Sequence, residues 1–373
     1  QVSVLTAKPN YPEGNFSKGY GFFKINYEKW NEINIYRTPI IRRGSGSSFR
    51  LFCNFLSFMI LASFRVLFIK DEFDKIFVYE PSPVLVGIPA IVAKWKFKAP
   101  IFFWVQDLWP ESISAAGGIK NKWILSFVDR ITRLIYNNCE KILVQSKRFI
   151  PYIKNQDIPE HKLVYHPNST ESFYKPIKFD QNILNTLPKG KKIMFAGNLG
   201  ESQSFETLLI SAQILKKRNK KINWIILGNG RMKKFIKQKI KEFGLEENFI
   251  LLGSFPSQDM PKYFSCADAL LVSLKKNPIF SLTIPNKIQS YMACGKPIIA
   301  SIDGEGGEII KDSKSGLVSA AEDSLGLANN LELFLNLSKE DVNKMSRNSL
   351  NLFKNEFDRE KLLTKLINLF NEK

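Results

Sequence analysis

Two short glycine turns are the first places where this sequence could do chemistry. Gly197-Asn198-Leu199-Gly200 follows the apolar run 192–196, and Gly228-Asn229-Gly230 follows 222–227. Each reads as a strand passing through a tight turn into a helix. Glycine permits positive φ and close approach of backbone to a ligand. The next helix start offers unpaired N–H groups to phosphate. Neither turn is a full GxGxxG or GxxxxGK[ST] pattern, and one alone signals little more than a turn. Their recurrence at successive strand ends predicts a nucleotide-diphosphate site. Its donor-binding residues would be Gly197, Asn198, Gly200, Gly228, Gly230 and the neighbouring Arg231.

Two further stretches fit the same chemistry. The segment 277–287 (NPIFSLTIPNK) is polar and turn-rich and opens a helix at 288–293. Asn286 is expected to cap that helix, presenting N–H donors beside Ser281, Thr283 and Lys287. Donors, a helix dipole and a lysine together favour phosphate; the plain alternative is an ordinary capped helix. Asp303-Gly-Glu-Gly-Gly-Glu308 reads as another glycine-rich loop, where Glu305 could accept hydrogen bonds from ribose or sugar hydroxyls. In the first half, Asp107 follows strand 100–105 and Glu80 ends the neighbouring strand. Two carboxylates at one mouth could hold a polyol or assist a proton transfer. Asp107 could equally cap the next helix. Asp107, Glu80 and Lys287 are the catalytic candidates. Ser112 lacks a G-x-S-x-G context, and His166, beside Pro167, reads as structural.

The elements that must position these residues alternate along the chain. Strands are expected at 2–6, 32–37, 75–79, 100–105, 141–145 and 162–165, with helices at 49–69, 84–96, 121–137 and 146–155. After the proline-bearing stretch 167–190 the alternation restarts. Strands are expected near 192–196, 222–227, 249–252, 269–273, 297–301 and 316–318, and helices near 203–218, 231–243, 259–266, 286–293 and 324–336, then a helical tail at 339–371. Such alternation specifies parallel sheets covered by helices. With 373 residues, two doubly wound α/β domains facing a cleft follow, ligands sitting at the carboxyl ends of strands. The expected division is 1–170, a linker at 171–190, a second domain at 191–350, and a C-terminal helix at 351–373 packing back on the first domain.

Composition narrows the class. Apolar residues make up 44% and charged residues 24%, which excludes disordered and fibrous chains. Cys53, Cys139, Cys266 and Cys294 are scattered without CxxC pairs, arguing against a disulfide framework or a zinc site and fitting a reducing cytosol. His161 and His166 are the two histidines, too few for a histidine-rich metal site. The net charge of +19 favours phosphate-bearing partners. It is spread over both halves, without the concentrated footprint expected of a nucleic-acid binder. The run 51–64 is apolar but flanked by Arg50 and Arg65 and broken by Asn54, so it is too short to span a membrane. It reads as a helix with a narrow polar stripe (Arg50, Asn54, Ser57, Arg65). That helix is either part of the core or touches a membrane surface with Arg42, Arg43 and Arg50 at lipid phosphates. The sequence starts at Gln1 and runs directly into a strand. The expectation is that an opening β-α unit is missing ahead of it, with a processed terminus as the alternative.

Together, LTAKPNYPEG (5–14), VYEPSP (78–83), FWVQDLWPES (103–112), QSKRFIP (145–151), MFAGNLGESQ (194–203), ILGNGR (226–231), the block 270–297 and DGEGGE (303–308) resemble bacterial family-4 glycosyltransferases. The branch is similar to L-fucosamine transferases of O-antigen, lipopolysaccharide and capsule biosynthesis. The resemblance implies a GT-B fold and sugar transfer from a nucleotide diphosphate, UDP above all, with retention and without cofactor or metal. It implies a polyprenyl-diphosphate-linked saccharide as acceptor, at an anionic membrane surface on the inner face of the cytoplasmic membrane. The chain departs from the family pattern in two places, at four residues. Where such enzymes often carry an arginine and a lysine in the first donor-domain loop, this chain has Asn198 and Gln203. Where they often carry two glutamates, it has Leu282 and Ser290. Diphosphate charge must be met elsewhere, with Lys287, Arg231 and Lys275 available. The rivals are a UDP-sugar 2-epimerase of the same fold, a truncated inactive relative, and a nucleic-acid or scaffold protein.

Overall fold

The computed structural model describes residues 1–11, 13–44, 47–115 and 121–372. Pro12, within the 5–14 stretch, lies outside them. The chain divides into two units. One is Gln1–Gln145 with Phe149–His166; the other is Ser146–Arg148 with the chain from Pro167 onward. Residues 171–190 are therefore not a free linker. Leu187 is buried in the second unit's core, and Tyr174, Ile183 and Leu184 pack against it. Prolines and polar residues disguise those four apolar anchors in the sequence. The helical tail also belongs to the second unit.

The first unit runs β1 (Ser3–Ala7), β2 (Tyr27–Trp30), β3 (Ile33–Thr38), α1 (Ser48–Leu67), β4 (Ile76–Glu80), α2 (Gly87–Phe97), β5 (Ile101–Val105), α3 (Glu111–Ala115), α4 (Lys122–Asn138), β6 (Lys141–Val144), α5 (Phe149–Lys154) and β7 (Leu163–Tyr165). Strands β4-β5-β6-β7 form a parallel sheet in that order. β5 (IFFWV) is almost wholly buried, as a two-sided parallel strand must be. A second sheet has the order β1-β3-β2, with β1 and β3 parallel. β2 is an addition to the expected set and lies antiparallel to β3. Its YEKW alternation is mostly exposed, so no apolar run announced it.

The second unit runs α6 (Gln181–Thr186), β8 (Lys192–Ala196), α7 (Phe205–Lys217), β9 (Asn223–Leu227), α8 (Lys233–Glu242), β10 (Phe249–Gly253), α9 (Met260–Ser265), β11 (Ala269–Ser273), α10 (Pro278–Leu282), α11 (Asn286–Ala293), β12 (Ile298–Ser301), α12 (Glu305–Asp312), β13 (Gly316–Ser319), α13 (Ser324–Asn336), α14 (Lys339–Leu352) and α15 (Arg359–Asn371). All six strands are parallel, in the order β10-β9-β8-β11-β12-β13. Alternate residues of β8 and β9 bury opposite faces. Ile193, Phe195, Trp224 and Ile226 pack with α7, α8 and α13. Met194, Ile225 and Leu227 pack with α9 and α11. The order reverses between β8 and β11, and a doubly wound sheet binds its ligand at that switch.

DGEGGE corrects the sequence reading in part: Asp303 and Gly304 are loop, but Glu305–Glu308 already form the start of α12. Gly306 and Gly307 are inside the helix because side chains there would crowd neighbouring structure. A Cβ on Gly306 would lie 3.0 Å from both Ile288 Cδ1 and Pro285 Cδ. Of the polar stripe of α1, whose direction the sequence left open, Asn54 and Ser57 point inward and are buried while Arg50 is exposed. Asn54 donates to the Ile41 carbonyl, and Ser57 Oγ accepts from the Ile41 amide at 2.9 Å. The extended segment beside the helix needs those partners, so the aromatic face is left outside. Phe49 is 75% exposed and Phe64 58%, with Phe52, Ile60 and Leu67 on the same outward side. The helix runs over Ser48–Leu67, which corrects the reading of 51–64 as too short: by length and composition α1 could cross a membrane, and most of it is uncovered by protein.

Candidate functional site

The two glycine turns meet. Gly197 and Gly228 both have φ of 143°. A Cβ on Gly228 would lie 1.8 Å from the Gly197 carbonyl oxygen, so contact between the turns demands glycine. Leu199 N–H donates to the Asn229 carbonyl at 2.8 Å, and Met232 N–H to the Leu199 carbonyl at 3.0 Å. This knitting changes the phosphate reading in one respect. The Gly197 amide is already donated to the Leu227 carbonyl at 2.9 Å. Asn198 and Gly200 are then the amides of this loop left to serve a ligand.

Beside the turns is a cavity of roughly 380 Å³ at the carboxyl ends of β8, β9 and β10. Gly197, Asn198, Gly228 and Asn229 form one wall, and Lys287 and Ser290 of α11 another. Tyr174, Phe255, Phe264 and Tyr291 supply an aromatic floor; Phe264 meets Tyr291 edge-on at 5.1 Å and Tyr174 lies 6.2 Å from Phe264 in a stacked arrangement. Tyr291 fixes the end of β8: its hydroxyl accepts from the Ala196 amide at 3.1 Å. Ser290 Oγ is 2.9 Å from Thr170 Oγ1.

Lys287 is the cation of this cavity. Its Nζ donates to Gln203 Oε1 at 2.6 Å and lies 3.9 Å from the centre of the Phe195 ring. A Cβ placed on Gly197 would come within 3.4 Å of the same Nζ. Burial lowers the amine to about 7, since desolvation penalises the charged form. The amine thus meets a neutral amide and an aromatic face, with room for an anion on the cavity side. Gln203 is the residue that the resemblance set in place of a lysine, and the Lys287 amine reaches its side chain.

Other expected donor residues are arranged differently. Asn286 does not cap α11; Pro285 is the capping position, and Asn286 Oδ1 accepts from Asn168 Nδ2 at 3.0 Å. Ser281 and Thr283 donate to the carbonyls of Pro278 and Phe280. The turn-rich segment in fact folds as α10, capped by Asn277. Gly200, Gly230 and Arg231 are outside the cavity lining, Arg231 being exposed. Glu305 is not free for sugar hydroxyls. Its Oε1 accepts from the Lys147 amide at 3.0 Å, and its Oε2 from the Arg148 amide at 2.9 Å and from Ser146 Oγ. The carboxylate thereby ties Ser146–Arg148 to the second unit. Sequence reasoning missed the aromatic floor and Ser254–Ser257; the polar loop after β10 was the available signal.

In the first unit, Glu80 and Asp107 are neighbours at adjacent strand ends, as expected. Asp107 is partly exposed, and burial raises its carboxyl. Glu80 is fully enclosed, at 0% exposure. That corrects the reading of two carboxylates jointly holding a polyol, because a group without access to solvent cannot touch one. His166 packs edge-on against Trp104, with ring centres 5.0 Å apart.

Solved structures define the class of protein first. HepE of Anabaena, solved in complex with UDP, superposes with a TM-score of 0.68 at 12% identity, over 91% of this chain and 86% of that one. The fold is GT-B. Sequence comparison then gives the kind of enzyme. Residues 176–351 match the family described as glycosyl transferases group 1. WcaI of Escherichia coli K12, named as a colanic acid biosynthesis glycosyl transferase, is 22% identical over 79% of this chain and 74% of its own length. The chitobiosyldiphosphodolichol beta-mannosyltransferase of Debaryomyces hansenii is 28% identical over 30% of this chain and 23% of its own. This chain is a glycosyltransferase-type enzyme.

Proposed function

We propose that the chain moves a sugar, a 2-acetamido-2,6-dideoxyhexose of the fucosamine kind, from UDP to a polyprenyl-diphosphate-linked saccharide during cell-surface polysaccharide assembly. The observation that carries this is the cavity at the switch between β8 and β11, where two interlocked glycine turns meet the Lys287 amine. The aromatic floor suits a base. Lys287, the amide of Asn198, and the start of α11 suit a diphosphate. Charge developing on the departing diphosphate is the term such donors stabilise, each worth about 3 kcal/mol. Asp107 orients the acceptor hydroxyl. The reaction retains anomeric configuration, as the resemblance implies, and needs no metal, because the lysine and helix start meet the charge. The lipid-linked acceptor draws support from the relative whose name carries a dolichol-diphosphate saccharide. Titration calorimetry with UDP, GDP and dTDP is the first test, with UDP expected to bind tightest. Transfer to a lipid-linked acceptor, unchanged by EDTA and yielding a product of the donor's anomeric configuration, is the second. No nucleotide binding, or turnover of a UDP-sugar without acceptor, refutes the reading.

The site of action is the inner face of the cytoplasmic membrane. Support comes from the net charge of +19 and the outward aromatic side of α1, a helix without acidic residues. Arg43 is held over the Tyr11 and Phe55 rings, so the exposed Arg50, and Arg42 through the guanidinium nitrogens not bonded to Asn15, are the residues to meet lipid phosphate. The chain should float with vesicles containing anionic phosphatidylglycerol and remain behind with neutral phosphatidylcholine. Phe49→Asp combined with Phe64→Asp should weaken vesicle binding at least tenfold. Equal flotation of the double variant removes α1 from the membrane contact.

A further inference from the structure

Glu80 has a role other than touching substrate. It ends β4, is wholly buried, and accepts both of its backbone hydrogen bonds on one oxygen. Oε2 takes the Gln106 amide at 3.2 Å and the Asp107 amide at 3.3 Å. Oε1 is equally buried and accepts no hydrogen bond of ordinary geometry, although the Trp109 indole N–H, itself unpaired, is near enough to the carboxyl to favour its charged form. The buried hydroxyl of Tyr136, in the same region, is likewise without a partner. No lysine, arginine or histidine forms an ion pair with Glu80 among the described residues. A buried carboxylate without an ion partner is strongly disfavoured, whereas a neutral acid needs only one acceptor oxygen and one place for its proton.

We infer that Glu80 is a positioning residue present as a neutral carboxylic acid, its Oε2 acting as the carbonyl that holds the backbone from which Asp107 projects. The proton resides on Oε1, because both backbone amides are held by Oε2. The titratable groups around it are Asp107, Tyr79 and Tyr136. Burial first, and the Asp107 charge second, raise the Glu80 carboxyl well above its ordinary value. This division of labour keeps one negative charge, that of Asp107, at the acceptor side. A second carboxylate there would oppose ionisation of Asp107.

The inference rests on the proposed transferase reaction, and its test separates the two. Glu80→Gln keeps a carbonyl for both amides and an uncharged N–H₂ where the proton sat. It should fold, retain transfer within about threefold, and leave the pH profile unmoved. Glu80→Ala should lose at least tenfold in kcat/KM for the acceptor while the donor KM stays unchanged. Asp107→Asn should abolish transfer; if it does not, the role given to Asp107 fails while that of Glu80 stands. Independently of activity, the infrared spectrum of the intact chain at pH 7 should contain a protonated-carboxyl band that Glu80→Gln removes. Loss of folding or activity in Glu80→Gln, a shifted acid limb, or an unchanged infrared spectrum overturns the inference.

Discussion

Lys287→Ala should lower kcat/KM for the donor by 100- to 1,000-fold, the effect of removing a donor to a developing negative charge. The pH dependence follows from the amine's lowering to about 7. Above pH 7 the empty cavity holds a neutral amine, and a bound diphosphate favours the ammonium. Donor affinity should therefore fall as pH rises from 7 towards 9, by up to tenfold per unit, with proton uptake on binding. Calorimetry at pH 8 in two buffers of different ionisation enthalpy reads that uptake directly. Equal heats in the two buffers would show that no proton accompanies the nucleotide.

The same lysine weakens the empty fold. The unfolded chain keeps its proton up to the ordinary lysine value of 10.5, whereas the folded chain releases it near 7. Between those values the unfolded state binds more protons, so stability rises with pH; below 7 the cost is fully present. Lys287→Met should accordingly raise the ligand-free Tm by a few degrees at pH 6 while abolishing donor binding. A variant that loses both binding and stability would place the residue in the scaffold instead.

Gly228→Val should be the most damaging single change at the donor site. The added side chain would enter the Gly197 carbonyl, 1.8 Å from Cβ, at a φ of 143°. Strain and overpacking of this kind cost about 2–4 kcal/mol. Separation of the turns should weaken UDP binding at least 100-fold. Gly200→Ala is the matched comparison. Gly200 has φ of −100°, and its Cβ would meet only the movable Asn198 amide at 2.9 Å. It should stay within 1 kcal/mol of the parent and bind UDP within threefold. Thermal melts and calorimetry on the pair decide the matter, and similar behaviour of the two glycines would refute the interlock.

The second sheet was legible because β8, β9, β11 and β12 are short apolar runs punctuated by glycine, asparagine or polar turns. Gly197, Gly228 and Lys287 were legible for the same reason: each stands at such a boundary. What stayed hidden depends on partners distant in sequence. Glu305 and Glu80 have equal chemistry on paper. The backbone amides that occupy or bury them arise from residues 146–148 and 106–107, which no local pattern connects. The stripe on α1 was seen, but its direction depends on Ile41, whose amide and carbonyl require Asn54 and Ser57. The cavity floor came from Tyr174, Phe255 and Phe264, aromatics separated in sequence and assembled by the sheet order.

The pairing of Gln203 with Lys287 bears on how such enzymes drift. Two loops that converge on one point can exchange a charge between them without altering the field there. A screen demanding lysine in one alignment column would discard this chain, while one asking where ammonium groups converge in space would retain it.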